Sequence, residues 1–248
     1  GGRTETFFAG GGGGIRAGYA ASLTLVASTV AGNSTGGDFA SGGGIFAYSA
    51  IALIDSTVSG NSTAGREAGG GGIYSFETVT LVASTVAGNS TSGPVALGGG
   101  ISAIGEVTLT GSTVTGNRAL SDYFGWGGGI HGAGGVSLTD SIVLGNSATQ
   151  PQYAEIYGSV TRTTSLVGGD AGVTVAGVFA AIDPVTGGGL LADNGGATRT
   201  IALNADPSNP AQGGGSGATA ADQRGLARDA DPDIGAFELL RTLVVDTL

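Results

Sequence analysis

The sequence predicts an all-β chain, a right-handed parallel β-helix of stacked coils of about 28 residues with a β-rich C-terminal cap or joining segment. Three observations carry this. The motif Ser-Thr-Val-x-Gly-Asn recurs at Ser28–Asn33, Ser56–Asn61, Ser84–Asn89 and Ser112–Asn117, and a fifth copy, Ser141–Asn146, has Ile142 in place of Thr. A second motif, Gly-Gly-Gly-Ile, ends at Ile15, Ile45, Ile73, Ile101 and Ile130. Between the two lies a short alternating run, Leu23-Thr-Leu25 in the first copy and Val136-Ser-Leu138 in the fifth. Self-similarity at a fixed period marks a solenoid. Strict alternation marks a half-buried strand, and no stretch has a helical period.

Stacking dictates the core. Equivalent residues of successive coils sit about one strand spacing, ~4.8 Å, apart. Four ladders are expected: Ile15, Ile45, Ile73, Ile101, Ile130; Leu25, Leu53, Leu81, Leu109, Leu138; Val30, Val58, Val86, Val114, Val143; and Asn33, Asn61, Asn89, Asn117, Asn146. β-Branched side chains suit a pleated surface. The Gly before each Asn permits a positive-φ corner, and each Asn amide can donate to the Asn of the next coil. The small Ser28, Ser56, Ser84, Ser112 and Ser141 leave room at a bend. From Ile to the next motif's Val is 13 residues in four copies and 15 in the first, which carries a two-residue insertion.

The chain divides into an N-terminal edge (1–10), the coils (11–168), a tail or cap (169–240), and a strand (241–248) that starts or joins a following module. Within 154–169 the repeat shortens to one further turn. The tail holds Leu191-Ala-Asp-Asn-Gly-Gly196, the strand-like 198–203, Asp222-Gln-Arg-Gly225 and Asp233-Ile-Gly-Ala-Phe-Glu238. The runs LADNGGATRTIAL and ADQRGLARDADPDIGAFEL resemble the C-terminal part of bacterial choice-of-anchor Q domain proteins. The Gly-Gly-Gly-Ile and Val-x-Gly-Asn coils are similar to chlamydial polymorphic membrane protein repeats. The resemblance spans about residues 11–240 and implies an exported parallel β-helix with no single established activity. No anchor follows Glu238; 242–248 resembles the opening strand of another such module.

Composition narrows the function. Nineteen acidic residues against nine basic give a formal charge of −10, which argues against nucleic acid and anionic membrane as partners. All nine basic residues are Arg, so Lys–Asn isopeptide bonds and a Walker loop are excluded, and the lack of Cys excludes disulfides and thiolate metal sites. No apolar run is long enough to span a bilayer.

Candidate chemistry is sparse, and the expectation is a non-enzyme. His131 is the single His, follows Ile130 at an outward position, and no Gly-x-Ser-x-Gly elbow accompanies it. Gly127–Gly132 matches a dinucleotide fingerprint in letters but lacks its βαβ setting. Asp55 and Asp140 are equivalent but three coils apart, about 14 Å on the strand spacing, beyond the ~5–9.5 Å of a glycosidase pair. Glu77 and Glu106 are out of register by one residue. No cofactor is expected; Asp229, Asp231 and Asp233, with Asp193-Asn194, are weak Ca²⁺ candidates against the plainer reading of acidic turns. Alternation points Phe46, Tyr48, Tyr74 and Phe76 outward on adjacent coils, and Tyr123, Phe124 and Trp126 form a second aromatic group. Together with Leu243, Val244 and Val245 of the last strand, these are the candidate interface. The expected role is a structural or adhesive module of a large secreted bacterial surface or fibre protein, stacked end to end with neighbouring copies or modules. The rival is carbohydrate binding or polysaccharide cleavage, with surface glycans as partner.

Overall fold

The computed structural model describes residues 3–5, 11–19 and 22–240 and is a parallel β-solenoid. The expected last strand, with Leu243, Val244 and Val245, lies outside the described residues. Each full coil runs through four strands and the last, from Ile156, through three, and equivalent strands stack into four parallel sheets. The isoleucine sheet contains Ile15–Ala17, Ile45–Ala47, Ile73–Ser75, Ile101–Ala103, Ile130–Gly132 and Ile156–Tyr157. The leucine sheet runs from Leu23–Val26 through Val136–Thr139 to Val160–Thr163, and the valine sheet from Thr29–Ala31 through Thr113–Thr115 to Leu166–Val167. The fourth sheet includes Ser34–Gly36, Ser62–Ala64, Ser90–Leu97, Arg118–Trp126 and Ser147–Ala148, with Arg3–Glu5 added beyond the first coil. The coils are numbered one to six by their isoleucines, from Ile15 to Ile156.

Register follows the repeat. Ile73 pairs with Ile45 and Ile101, Leu81 with Leu53 and Leu109, and Val86 with Val58 and Val114. These side chains fill the lumen, and from coil two to coil five they are essentially inaccessible. Each stabilises the fold by ~1.5–3 kcal/mol through burial alone.

The corners consume polar groups in an ordered way. Each Asn donates its backbone N–H and its Nδ2 to the Oδ1 of the next coil's Asn, at 2.9–3.0 Å along the run from Asn33 to Asn146. The preceding Gly60, Gly88 and Gly116 have φ of 61°, 64° and 66°. The last Gly of each triplet is required by this ladder: a Cβ on Gly72 would lie 2.9 Å from the Asn89 carboxamide carbon. The serines do more than leave room. Each of Ser56, Ser84, Ser112 and Ser141 accepts the preceding coil's Ser N–H at 3.1 Å and donates to the carbonyl two residues back, forming a second polar ladder. Between the leucine and valine sheets each coil turns through a left-handed residue, and most of these are not glycine: Ala27, Asp55, Ala83, Asp140 and Thr164.

The tail leaves coil six and runs back along the outer face of the valine sheet, so it closes the flank of the stack and not its end. Thr57, Thr85 and Thr113, which face away from the lumen, are buried beneath it. Ile142, Leu144, Val178, Phe179, Ile201, Leu203, Ile234 and Phe237 form a second apolar core between sheet and tail. Regular structure here is limited to a short helix, Val175–Val178, and one antiparallel pair, Leu191–Ala192 with Thr200–Ile201.

Candidate functional site

Three regions gather side chains that sequence singles out: the tail clasp, an aromatic face and an aromatic wing. The clasp is built from the two tail motifs. Asp222 accepts the N–H groups of Arg224, Leu226 and Glu238 and pairs with the Arg224 guanidinium at 2.7 Å. Arg224 in turn lies 3.7 Å over the Phe237 ring. Gln223 points into the valine sheet, where Nε2 donates to Thr57 Oγ1 at 2.7 Å and to Thr198 Oγ1 at 2.8 Å, and Oε1 accepts the Thr85 hydroxyl. Arg228 and Glu238 form a buried ion pair at 2.8 Å, and Arg228 also donates to the carbonyls of Asp233 and Gly235. Burial pushes the Glu238 carboxyl above its ordinary range, in spite of that partner. The clasp is therefore an acid–base network spent on holding backbone.

The candidate carboxylates have similar employment. Asp140 accepts the Ser216 and Ala218 N–H groups and the Ser216 and Thr164 hydroxyls. Burial would raise its carboxyl, but these four donors together outweigh it and hold it below the usual range. Asp55 is shifted the other way, first by burial and then by the nearby Asp222 charge. Glu77 and Glu106 are exposed. Of the Ca²⁺ candidates, Asp233 directs its oxygens to the N–H groups of Gly213 and Leu239, and Asp229 Oδ1 accepts the Asp231 N–H. Asp193 Oδ1 accepts the Gly195 N–H, and the Asn194 amide donates to Thr200. Among the described residues no three of His, Asp and Glu form a metal-holding group.

The aromatic face covers the outer side of the isoleucine sheet. Its rings stack on one another along the solenoid axis. Tyr48 lies between Tyr19, at 4.0 Å, and Phe76, at 5.1 Å and 10°. Phe46 stacks on Tyr74 at 5.6 Å, lies under the Arg16 guanidinium and is 6% exposed. Tyr48 and Tyr74 are half-buried and Phe76 is exposed. A groove of about 320 Å³ runs beside them, lined by Phe39, Ser41, Phe46, Tyr48, Glu67, Tyr74 and Phe76. A sugar stacks on the face of a ring, and here ring faces cover each other.

His131 belongs to a second column of this kind. Its ring lies 5.0 Å from Tyr157, which stacks on Trp126 at 5.1 Å. Its Nδ1 is 3.5 Å from Ser102 Oγ, and burial lowers its pKa. No acid orients it.

The wing is different. Ser90–Leu97 and Arg118–Trp126 run parallel well past the other coils' strands, with a bulge between Gly93 and Val95. The Ser121 hydroxyl accepts the N–H groups of both Tyr123 and Phe124, and the tight turn drives the two rings outward, to 68% and 51% exposure. With exposed Leu120 they make an apolar tip, while Trp126 at its base is half-buried.

No helix among the described residues is long and apolar enough to cross a membrane. No protein-family model, curated protein or solved structure matches the chain.

Proposed function

We propose that this chain is a structural and adhesive module of a large secreted bacterial surface protein, a braced rod that holds an apolar wing clear of its flank. The observation that carries the reading is the tail, which laces coils two to five together on one side and leaves the loops of the opposite sheets free. Hydrogen bonds tie Gln223 to Thr57 and Thr85, Thr198 to Asp55, Gly189 to Thr115 and Ser216 to Asp140, which lie on four successive coils. The resemblance of the tail motifs to choice-of-anchor Q proteins supports export to a bacterial surface. The buried, backbone-directed use of Asp140, Asp222, Asp233 and Glu238 supports a non-catalytic role, and the mutual stacking of Tyr48, Phe76 and Tyr19 weighs against a glycan platform.

The test combines shape and attachment. Negative-stain microscopy of the purified chain is expected to show short rods. Beads coated with it are expected to adhere to cells, and Tyr123→Ser/Phe124→Ser is expected to abolish adhesion without changing the rods. Equal adhesion by the variant removes the wing. A glycan-array signal lost in Tyr48→Ala replaces the reading with carbohydrate recognition.

A further inference from the structure

Coil six keeps the strand pairing of the repeat but not its residues. Ile156 pairs with Ile130, Val160 with Val136, Leu166 with Ile142 and Val167 with Val143. At three corner and lumen positions, however, a repeat residue is replaced by a charged one. Glu155 stands in register with Gly129, Arg162 pairs with the core position of Leu138, and Asp170 is the counterpart in sequence of Asn146, three residues after Val167 as Asn146 is after Val143.

Each replacement removes something a further coil needs. The Asn ladder donates in one direction, from Asn33 toward Asn146. Asn146 then donates its Nδ2 to Glu155 Oε2 at 2.6 Å, and the Gly145 N–H goes to Oε1 at 2.9 Å. The glycine site that elsewhere makes room for an Asn here supplies a carboxyl whose oxygens take up the Gly145 and Asn146 donors, so the series stops. Arg162 and Asp170 join through two hydrogen bonds of 2.5 and 2.8 Å at the mouth of the lumen. The recess between them and Glu155 measures about 520 Å³. A seventh coil would bury that pair and Val160 beneath an apolar layer. Desolvation of both ions opposes such burial, and an inward-pointing charge is a known guard of an unpaired sheet edge. At the coil-one end the inward Ile15, Leu23 and Leu25 are uncharged and only half-buried.

We infer that the coil-six end is closed, so that neither a following module nor a second copy of this chain stacks on it. End-to-end stacking is thereby confined to the coil-one side. The inference rests on coil geometry and not on the surface-module reading.

The native chain has no Cys, so Val160→Cys places a single thiol at the open mouth. Its maleimide labelling rate is expected to stay constant across a wide concentration series; protection that grows with concentration overturns the inference. Glu155→Gly/Arg162→Leu/Asp170→Asn restores the repeat residue at all three positions. Light scattering is expected to show this variant associating with rising concentration where the parent does not. A folded variant that associates no more than the parent shows that these charges are not the guard and overturns the inference. Should the variant fail to fold, the thiol experiment decides alone.

Discussion

Gln223 and Thr85 share a buried hydrogen bond of 2.6 Å across 138 residues of sequence. With Thr57 on the neighbouring coil, the same carboxamide ties two coils to the tail. Replacing it by Ala leaves the buried Thr85 hydroxyl without its acceptor, at about 1–3 kcal/mol for the unsatisfied group, while Thr57 keeps its bond to the Arg199 carbonyl. Gln223→Ala is expected to lower the urea midpoint and to expose the amides of 198–240 to hydrogen exchange before those of the coils. Simultaneous exchange of tail and coils would sink the clasp account.

The Arg228–Glu238 pair yields a second expectation. Its side chains are 4% and 0% exposed, so removing one partner strands a buried charge. Glu238→Ala and Arg228→Ala are each expected to cost about 3–5 kcal/mol. The double substitution should cost much less than the sum. Additive losses in a double-mutant cycle would show that the two do not act as a pair.

The middle of the Asn ladder should be the most sensitive polar site in the coils. Asn89 is inaccessible and bonded on both sides. Asn89→Ala breaks both links and opens a cavity; a loss of ~2–4 kcal/mol follows from the groups left unsatisfied. Asn89→Asp should be worse, because its second oxygen faces the Asn117 acceptor in place of a donor. Thermal unfolding of the two variants ranks them, and an Asp variant as stable as the parent would contradict the assigned donor direction.

Glu155 makes stability depend on pH. Burial raises its carboxyl to about 7, against hydrogen bonds from Asn146 and Gly145 that pull it down. Between its unfolded value near 4.5 and about 7, the folded chain holds the extra proton. Stability from this group is therefore full at low pH and falls as pH rises through that window. The loss is on the order of 2 kcal/mol once solvent at the open end is allowed for. Glu155→Gln should flatten the decline between pH 5 and 7, read from denaturant midpoints; an unchanged slope would remove Glu155 as its source.

The coils were legible because period 28 repeats the same demand at every level: Ile and Leu inward, Gly where an Asn crosses, Asn where the corner must donate. The Ser ladder was half legible, since smallness explains Ser no better than Ala or Gly would; its hydroxyl is fixed by contacts between coils. The left-handed corners at Asp55 and Ala83 gave no signal, because the choice of residue there is loose while the stack imposes the backbone. Phe46 was read by alternation as outward, which it is, but alternation says nothing about Arg16 and Tyr74 covering it. The tail's path was the largest gap. Its motifs have no period, and Thr57, Thr85 and Thr113 look like ordinary outward residues until something packs on them.

A chain of near-identical coils, each touching only its neighbours, would come apart a unit at a time. The returning tail changes how this one fails. The bond between Gln223 and the Ser56 carbonyl spans 167 residues, so coil two cannot fray without detaching a segment that also grips coils three, four and five. Under tension the coils would part in one abrupt event of high threshold, not by gradual unspooling.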